Sequence, residues 1–130
     1  MASELILLDT SVLIDYFRQA NKTNSYFYQL AASKQYAFAV SVITEYEIYL
    51  GATKSQTAFW DALFARLSLL AFDSQCAKEA VSIQQELKKR NKMIAVPDLL
   101  IGATAKSKGL RIATKNVDHF QRINNLQIEK

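Results

Sequence analysis

The sequence predicts an α/β domain built on a mostly parallel sheet. Two observations predict it. Short apolar runs alternate with longer segments of helical periodicity along the chain. The first of those runs, Glu4–Leu8 (ELILL), is apolar nearly throughout instead of alternating with polar residues. A strand of that kind is buried on both faces, as in a parallel sheet covered by helices.

The elements follow in order. After Leu8, Asp9-Thr10-Ser11 opens a helix to about Ala20, because Val12, Leu13, Tyr16 and Phe17 recur at helical spacing. Residues 21–24 are polar and turn-like, and Tyr26, Phe27, Leu30 and Ala31 mark a second helix. Tyr36–Ile43 (YAFAVSVI) is aromatic, β-branched and apolar, and predicts the second strand. Thr44 begins a helix to Gly51, and Thr57–Leu67 forms another, with Phe59, Leu63, Phe64 and Leu67 in a stripe. Leu69–Phe72 predicts a third short strand. Asp73 or Ser74 then caps a long helix to about Asn91 whose core face is Cys76, Ala77, Ala80, Val81 and Leu87. Leu99–Lys106 is helical and stops at Gly109, a residue suited to the turn past a helix end. Leu110–Ala113 is the fourth strand, and a short helix lies around Phe120.

Composition narrows the function. The chain has 130 residues, three glycines and one proline, which leaves no long linker and predicts a single domain over residues 1–130. A net charge of +4 is compatible with a nucleic-acid partner without requiring one. The lone Cys76 forbids an internal disulfide and a cysteine-rich zinc site, and fits a reducing cytosol. The N-terminus has no positive region and its apolar run ends at Asp9, unlike a signal peptide, and no apolar stretch spans a membrane. The expected location is cytoplasmic.

Three acids fall where a parallel sheet binds ligands, outside the carboxyl ends of its strands. Asp9 follows the first strand, Glu47 lies in the first turn of the helix after the second, and Asp98 follows Pro97 at the helix leading to the last. Each also has a capping reading. Asp9 and Asp98 can N-cap helices, and Thr44-Glu45-Tyr46-Glu47 fits a capping box. Gathered on one rim, the carboxylates would repel, and a cation would relieve them. Hard oxygens suit Mg²⁺ or Mn²⁺. A chain with one histidine and one cysteine fits metal-assisted phosphodiester hydrolysis better than triad catalysis.

LLDTSVLIDYF at Leu7–Phe17, SVITEYEIYLGA at Ser41–Ala52 and VPDLLIGATAKSKGLRIATKNVDHFQRI at Val96–Ile123 resemble the ordered motifs of PIN domains of the VapC type, the toxin half of VapBC toxin–antitoxin pairs. The resemblance spans nearly the whole chain. It implies a three-layer α/β/α fold with four or five strands, and a Mg²⁺- or Mn²⁺-dependent endoribonuclease. Asp9, Glu47 and Asp98 would bind metal directly or through water, with Ser11 and Thr114 as supporting hydroxyls. It further implies a homodimer and a VapB-like antitoxin, through which alone operator DNA is bound. The sequence departs from the family at Asn116, where many relatives carry a fourth acid. Asp118 stands two residues on and is the candidate substitute, or caps the helix of Phe120.

Other residues carry weaker readings. Lys115 and Arg18 are the candidate phosphate contacts near the rim. The run Lys88-Lys89-Arg90 with Lys92 reads as a solvated helix end. His119, beside the rim, reads as a surface or partly packed residue in preference to a catalytic one, and Tyr46, Tyr49, Phe59, Trp60 and Phe64 as core or dimer interface in preference to base-stacking platforms. Two other functions compete. A haloacid-dehalogenase-like phosphatase needs a second aspartate where Ser11 stands. A catalytically degenerate PIN-like binding module has Asn116 as its support.

Overall fold

The computed structural model describes residues 3–129. Four strands, β1 (Glu4–Leu8), β2 (Tyr36–Ser41), β3 (Ser68–Leu70) and β4 (Arg111–Ala113), form an all-parallel sheet in the order β3-β2-β1-β4. The central strand is β1, in register Leu7 to Ala39 on one side and Leu8 to Ala113 on the other. Beyond β4, Ile112 makes an isolated parallel bridge to Ile128, the rudiment of a fifth strand. All four carboxyl ends therefore share one rim.

Among the described residues, seven α-helices cover the sheet: α1 (Thr10–Arg18), α2 (Tyr26–Ala32), α3 (Val42–Gly51), α4 (Thr57–Phe64), α5 (Ser74–Lys89), α6 (Val96–Ser107) and α7 (Val117–Phe120). The pleat of the strands sorts the core into two layers. Ile6, Leu8, Val40 and Ala113 pack against Val12, Leu13, Leu30, Ile48, Trp60 and Leu63, from α1 to α4. Leu7, Ala39 and Ile112 point to the opposite face, against Ala80, Ile83, Leu87, Leu99, Ile101 and Phe120 of α5 to α7. The architecture is the expected three-layer α/β/α sandwich.

Several boundaries differ from the sequence reading, each for a local reason. The second strand ends at Ser41, not Ile43, because the Ser41 hydroxyl accepts from Ile43 N at 3.0 Å and starts α3 early. Thr44 is thus inside the helix instead of capping it, and Glu47 lies in the second turn. Asp98 is not an N-cap either: Ala95 holds that place, with Pro97 and Asp98 in the first turn of α6. Asp9 does cap α1, and Asp73 caps α5. On α5, Ile83 is buried, whereas Ala77 and Val81 face solvent. α4 ends at Phe64, and β3 begins one residue earlier than expected and spans Ser68–Leu70. No helix among the described residues is long and apolar enough to cross a membrane.

Candidate active site

The rim is built around Asp9. β1 delivers it to the sheet end, where its backbone N–H donates to Ala113 O at 2.9 Å, locking it beside β4. Asp9 is 2 % exposed. Its Oδ2 accepts from the Ser11 hydroxyl at 2.6 Å and from the Thr114 hydroxyl at 2.8 Å. Oδ1 is buried with no hydrogen-bond partner. An ionised oxygen without a donor in a dry place is costly. Burial accordingly raises the Asp9 pKa, the hydroxyls of Ser11 and Thr114 pull it down, and the charge of Asp98 pushes it up further.

Glu47 approaches from α3. Thr10, the first residue of α1, donates its hydroxyl to Glu47 Oε1 at 2.7 Å. Because that proton is spent on a carboxylate, Thr10 Oγ1 can only accept from Thr44, whose oxygen is 2.9 Å away in a fully buried residue. Glu47 and Arg18 both line a cleft of about 310 Å³ between α1, α3 and α4.

Asp98 comes from the first turn of α6 and meets the loop after β4. Its Oδ2 is 2.8 Å from His119 Nδ1 and 3.4 Å from Asn116 Nδ2. Asn116 and His119 are themselves 2.8 Å apart. Asn116 is thus at the rim, while Asp118 is exposed and accepts from Gln121 in its own turn. Lys115 is half-exposed, with Nζ 3.7 Å from Asp15 Oδ1, and its backbone N–H donates to the Ser11 hydroxyl at 3.0 Å.

Among the described residues, no group of three or more His, Cys, Asp or Glu side chains converges as a ready set of metal ligands. The charge of Asp98 nonetheless acts on Asp9, whose Oδ1 lacks a donor. Hard oxygens and a buried orphan lone pair fit a small divalent cation. Two contacts escape sequence reasoning, Thr10 with Glu47 and His119 with Asp98. Thr10 reads only as part of the helix start, although a threonine directly after a rim acid is a signal. His119 is 21 residues from Asp98, and nothing in a one-turn helix announces the contact.

Comparison with known proteins agrees with this architecture. The PIN domain family model matches residues 6–126. The chain is 33 % identical over 129 residues to Ribonuclease VapC2 of Haemophilus influenzae, covering 95 % of each. It is 30 % identical to the tRNA(fMet)-specific endonuclease VapC of Shigella flexneri, again over 95 % of each. Among solved structures, VapBC2 from Rickettsia felis, bound to a DNA fragment from its promoter, superposes with a TM-score of 0.86 at 25 % identity, covering 96 % of this chain and 97 % of that one. DNA-bound VapBC from Salmonella typhimurium gives 0.84 at 27 %, covering 98 % of both. The chain belongs to the PIN domain family, and the relatives named above are VapC ribonucleases and VapBC complexes.

Proposed function

We propose that this chain is the toxin endoribonuclease of a type II toxin–antitoxin pair. It hydrolyses RNA phosphodiester bonds with a water activated by Mg²⁺ or Mn²⁺. The observation that carries the reading is Asp9, buried at the carboxyl end of the central strand with one oxygen lacking any donor and the charge of Asp98 acting on it. The names of its relatives, ribonucleases and a tRNA(fMet)-specific endonuclease, support RNA as the substrate class.

In this reading Asp9 and Asp98 would hold the ion directly and Glu47 would hold it through water. When bound, the ion supplies a water of lowered pKa and positive charge against the phosphoryl oxygens. Ser11 and Thr114 occupy Asp9 Oδ2, which fixes the carboxylate and reserves Oδ1 for the cation. Thr10 occupies Glu47 Oε1, so Oε2 is the oxygen left to accept a proton from water. Lys115 and Arg18 meet the flanking phosphates of the RNA. The protein works in the cytoplasm as a homodimer, silenced by a VapB-like antitoxin that also carries the pair to operator DNA.

Product chemistry tests the mechanism. Attack by water leaves the 2′-hydroxyl unused, so the new RNA ends carry no 2′,3′-cyclic phosphate. End-group analysis of the cleaved RNA that found the cyclic product would refute a water nucleophile.

A further inference from the structure

Asp98 Oδ2, His119 Nδ1 and the Asn116 amide stand at the corners of a triangle with sides of 2.8, 2.8 and 3.4 Å. We propose that these three groups form one face of the cation site, with His119 Nδ1 as a direct ligand. That nitrogen shifts the preference of the site from Mg²⁺ toward Mn²⁺ and related transition-metal ions. The inference rests on the metal-dependent reading above and specifies the chemistry of its ion.

The size of the triangle is the first argument. An octahedral ion with bonds near 2.1 Å sets neighbouring donor atoms roughly 3.0 Å apart. The three sides bracket that spacing. Half a turn of the Asn116 amide exchanges its nitrogen for its oxygen in the same place. The face then offers two oxygens and one imidazole nitrogen.

Proton counting is the second. With the amide nitrogen turned inward and Nδ1 protonated toward Asp98, two N–H groups confront each other at 2.8 Å. With the amide oxygen turned inward, a single Nδ1 proton is split between two oxygens. All three groups would each offer a lone pair to a divalent ion in place of that proton. Asp9 Oδ1, buried at the same rim without a hydrogen-bond partner, is the second observation that points to a cation there.

The corners are held before any ion arrives. Asp98 is in the first turn of α6, Asn116 is the residue before α7, and His119 lies within α7. The two helices pack at Gly102, where an added Cβ would lie 2.5 Å from Ile123 Cδ1 and 3.6 Å from Phe120, itself fully buried. His119 keeps 38 % of its side-chain surface exposed, so an ion can reach it from solvent.

Imidazole binds the later divalent metals more strongly than Mg²⁺, which favours carboxylate, carbonyl and water. A site with this nitrogen therefore discriminates between Mn²⁺ and Mg²⁺, and one without it discriminates less.

The test loads the purified full-length chain with Mn²⁺, free of any partner, and reads pulsed EPR for a directly bound imidazole nitrogen, followed by competition with Mg²⁺. His119→Phe keeps an aromatic ring and removes both nitrogens; His119→Gln keeps a polar side chain. Thermal melts confirm that both variants fold. The parent is expected to show the nitrogen coupling and both variants to lose it. The Mn²⁺-over-Mg²⁺ preference should fall by an amount on the scale of the roughly 10- to 100-fold that metal-site substitutions cost. Bound Mn²⁺ with no nitrogen coupling, or coupling and preference unchanged in His119→Phe, overturns this inference and leaves the metal-dependent nuclease standing. A parent that binds no Mn²⁺ at all overturns both.

Discussion

Thr10 donates its hydroxyl proton to Glu47 Oε1 across 2.7 Å and so ties the first turn of α1 to the second turn of α3. Thr44, buried within α3, completes the chain by donating to Thr10 Oγ1 at 2.9 Å. Thr10→Val is isosteric and removes the donor to the carboxylate. Its RNA cleavage rate should fall by about 10-fold or more, the scale on which groups orienting a metal ligand act. Thr10→Ser should recover most of the loss. A Thr10→Val protein that cleaves as fast as the parent removes Glu47 positioning from the mechanism.

Asp9 links the site to stability. Burial raises its pKa above the free value of 3.8, opposed by Ser11 and Thr114 and reinforced by Asp98. A carboxyl raised in the folded state stabilises the fold below the unfolded value, and that contribution disappears as pH rises through the folded value. At pH above the folded value, in EDTA, Asp9 therefore weakens the fold. Asp9→Asn should raise the melting temperature there, and the gap should close near the pKa of the free carboxyl. Added Mn²⁺ should stabilise the parent more than the variant. A lower melting temperature for Asp9→Asn above the folded value would show that the buried charge is better solvated than its surroundings indicate.

Gly102 sets the seat of α7. A methyl group here meets Ile123 Cδ1 at 2.5 Å. Overpacking costs about 1–3 kcal/mol, offset by up to about 1 kcal/mol from the gain in helix propensity. Gly102→Ala should destabilise the protein and disturb Asn116 and His119. Ile123→Val deletes the colliding Cδ1, so the double variant should regain part of the lost stability in denaturant melts. Additive losses would place the clash elsewhere.

Much of the fold and of the site is legible in the sequence because the signals are local. β1 reads as a two-face-buried strand, and the match of Asp9, Ser11 and Thr114 to family motifs groups them from sequence alone. What is illegible depends on tertiary choice. Ser41-Val42-Ile43 has strand propensity, yet the Ser41 cap turns it into helix and carries Thr44 away from the box that its sequence spells. On α5 the buried positions Cys76, Ala80, Ile83 and Leu87 step by four, three and four, a narrower stripe than the one containing Ala77 and Val81. Asn116 reads as a lost acid; its meeting with Asp98 and His119 is visible only when α6 and α7 are packed together.

Lys115 tests the substrate class by charge. It is 49 % exposed beside Ser11 of α1, and its ion pair with Asp15 is a loose 3.7 Å contact. Lys115→Ala should weaken binding of unrelated RNAs about equally and lower the salt dependence of binding by about one phosphate contact. The same change at Arg18 should behave alike if its cleft with Glu47 carries the strand. An effect confined to one RNA sequence would reassign Lys115 to base recognition.

The most direct test of the central claim is cleavage of labelled bulk tRNA by the purified chain, free of any partner, in Mg²⁺ or Mn²⁺ and in EDTA, with Asp9→Asn alongside. The account predicts discrete cuts that require both the ion and Asp9, with the variant's fold intact. Cleavage that persists in EDTA or in Asp9→Asn would contradict it, as would a folded parent that cuts no RNA with either ion.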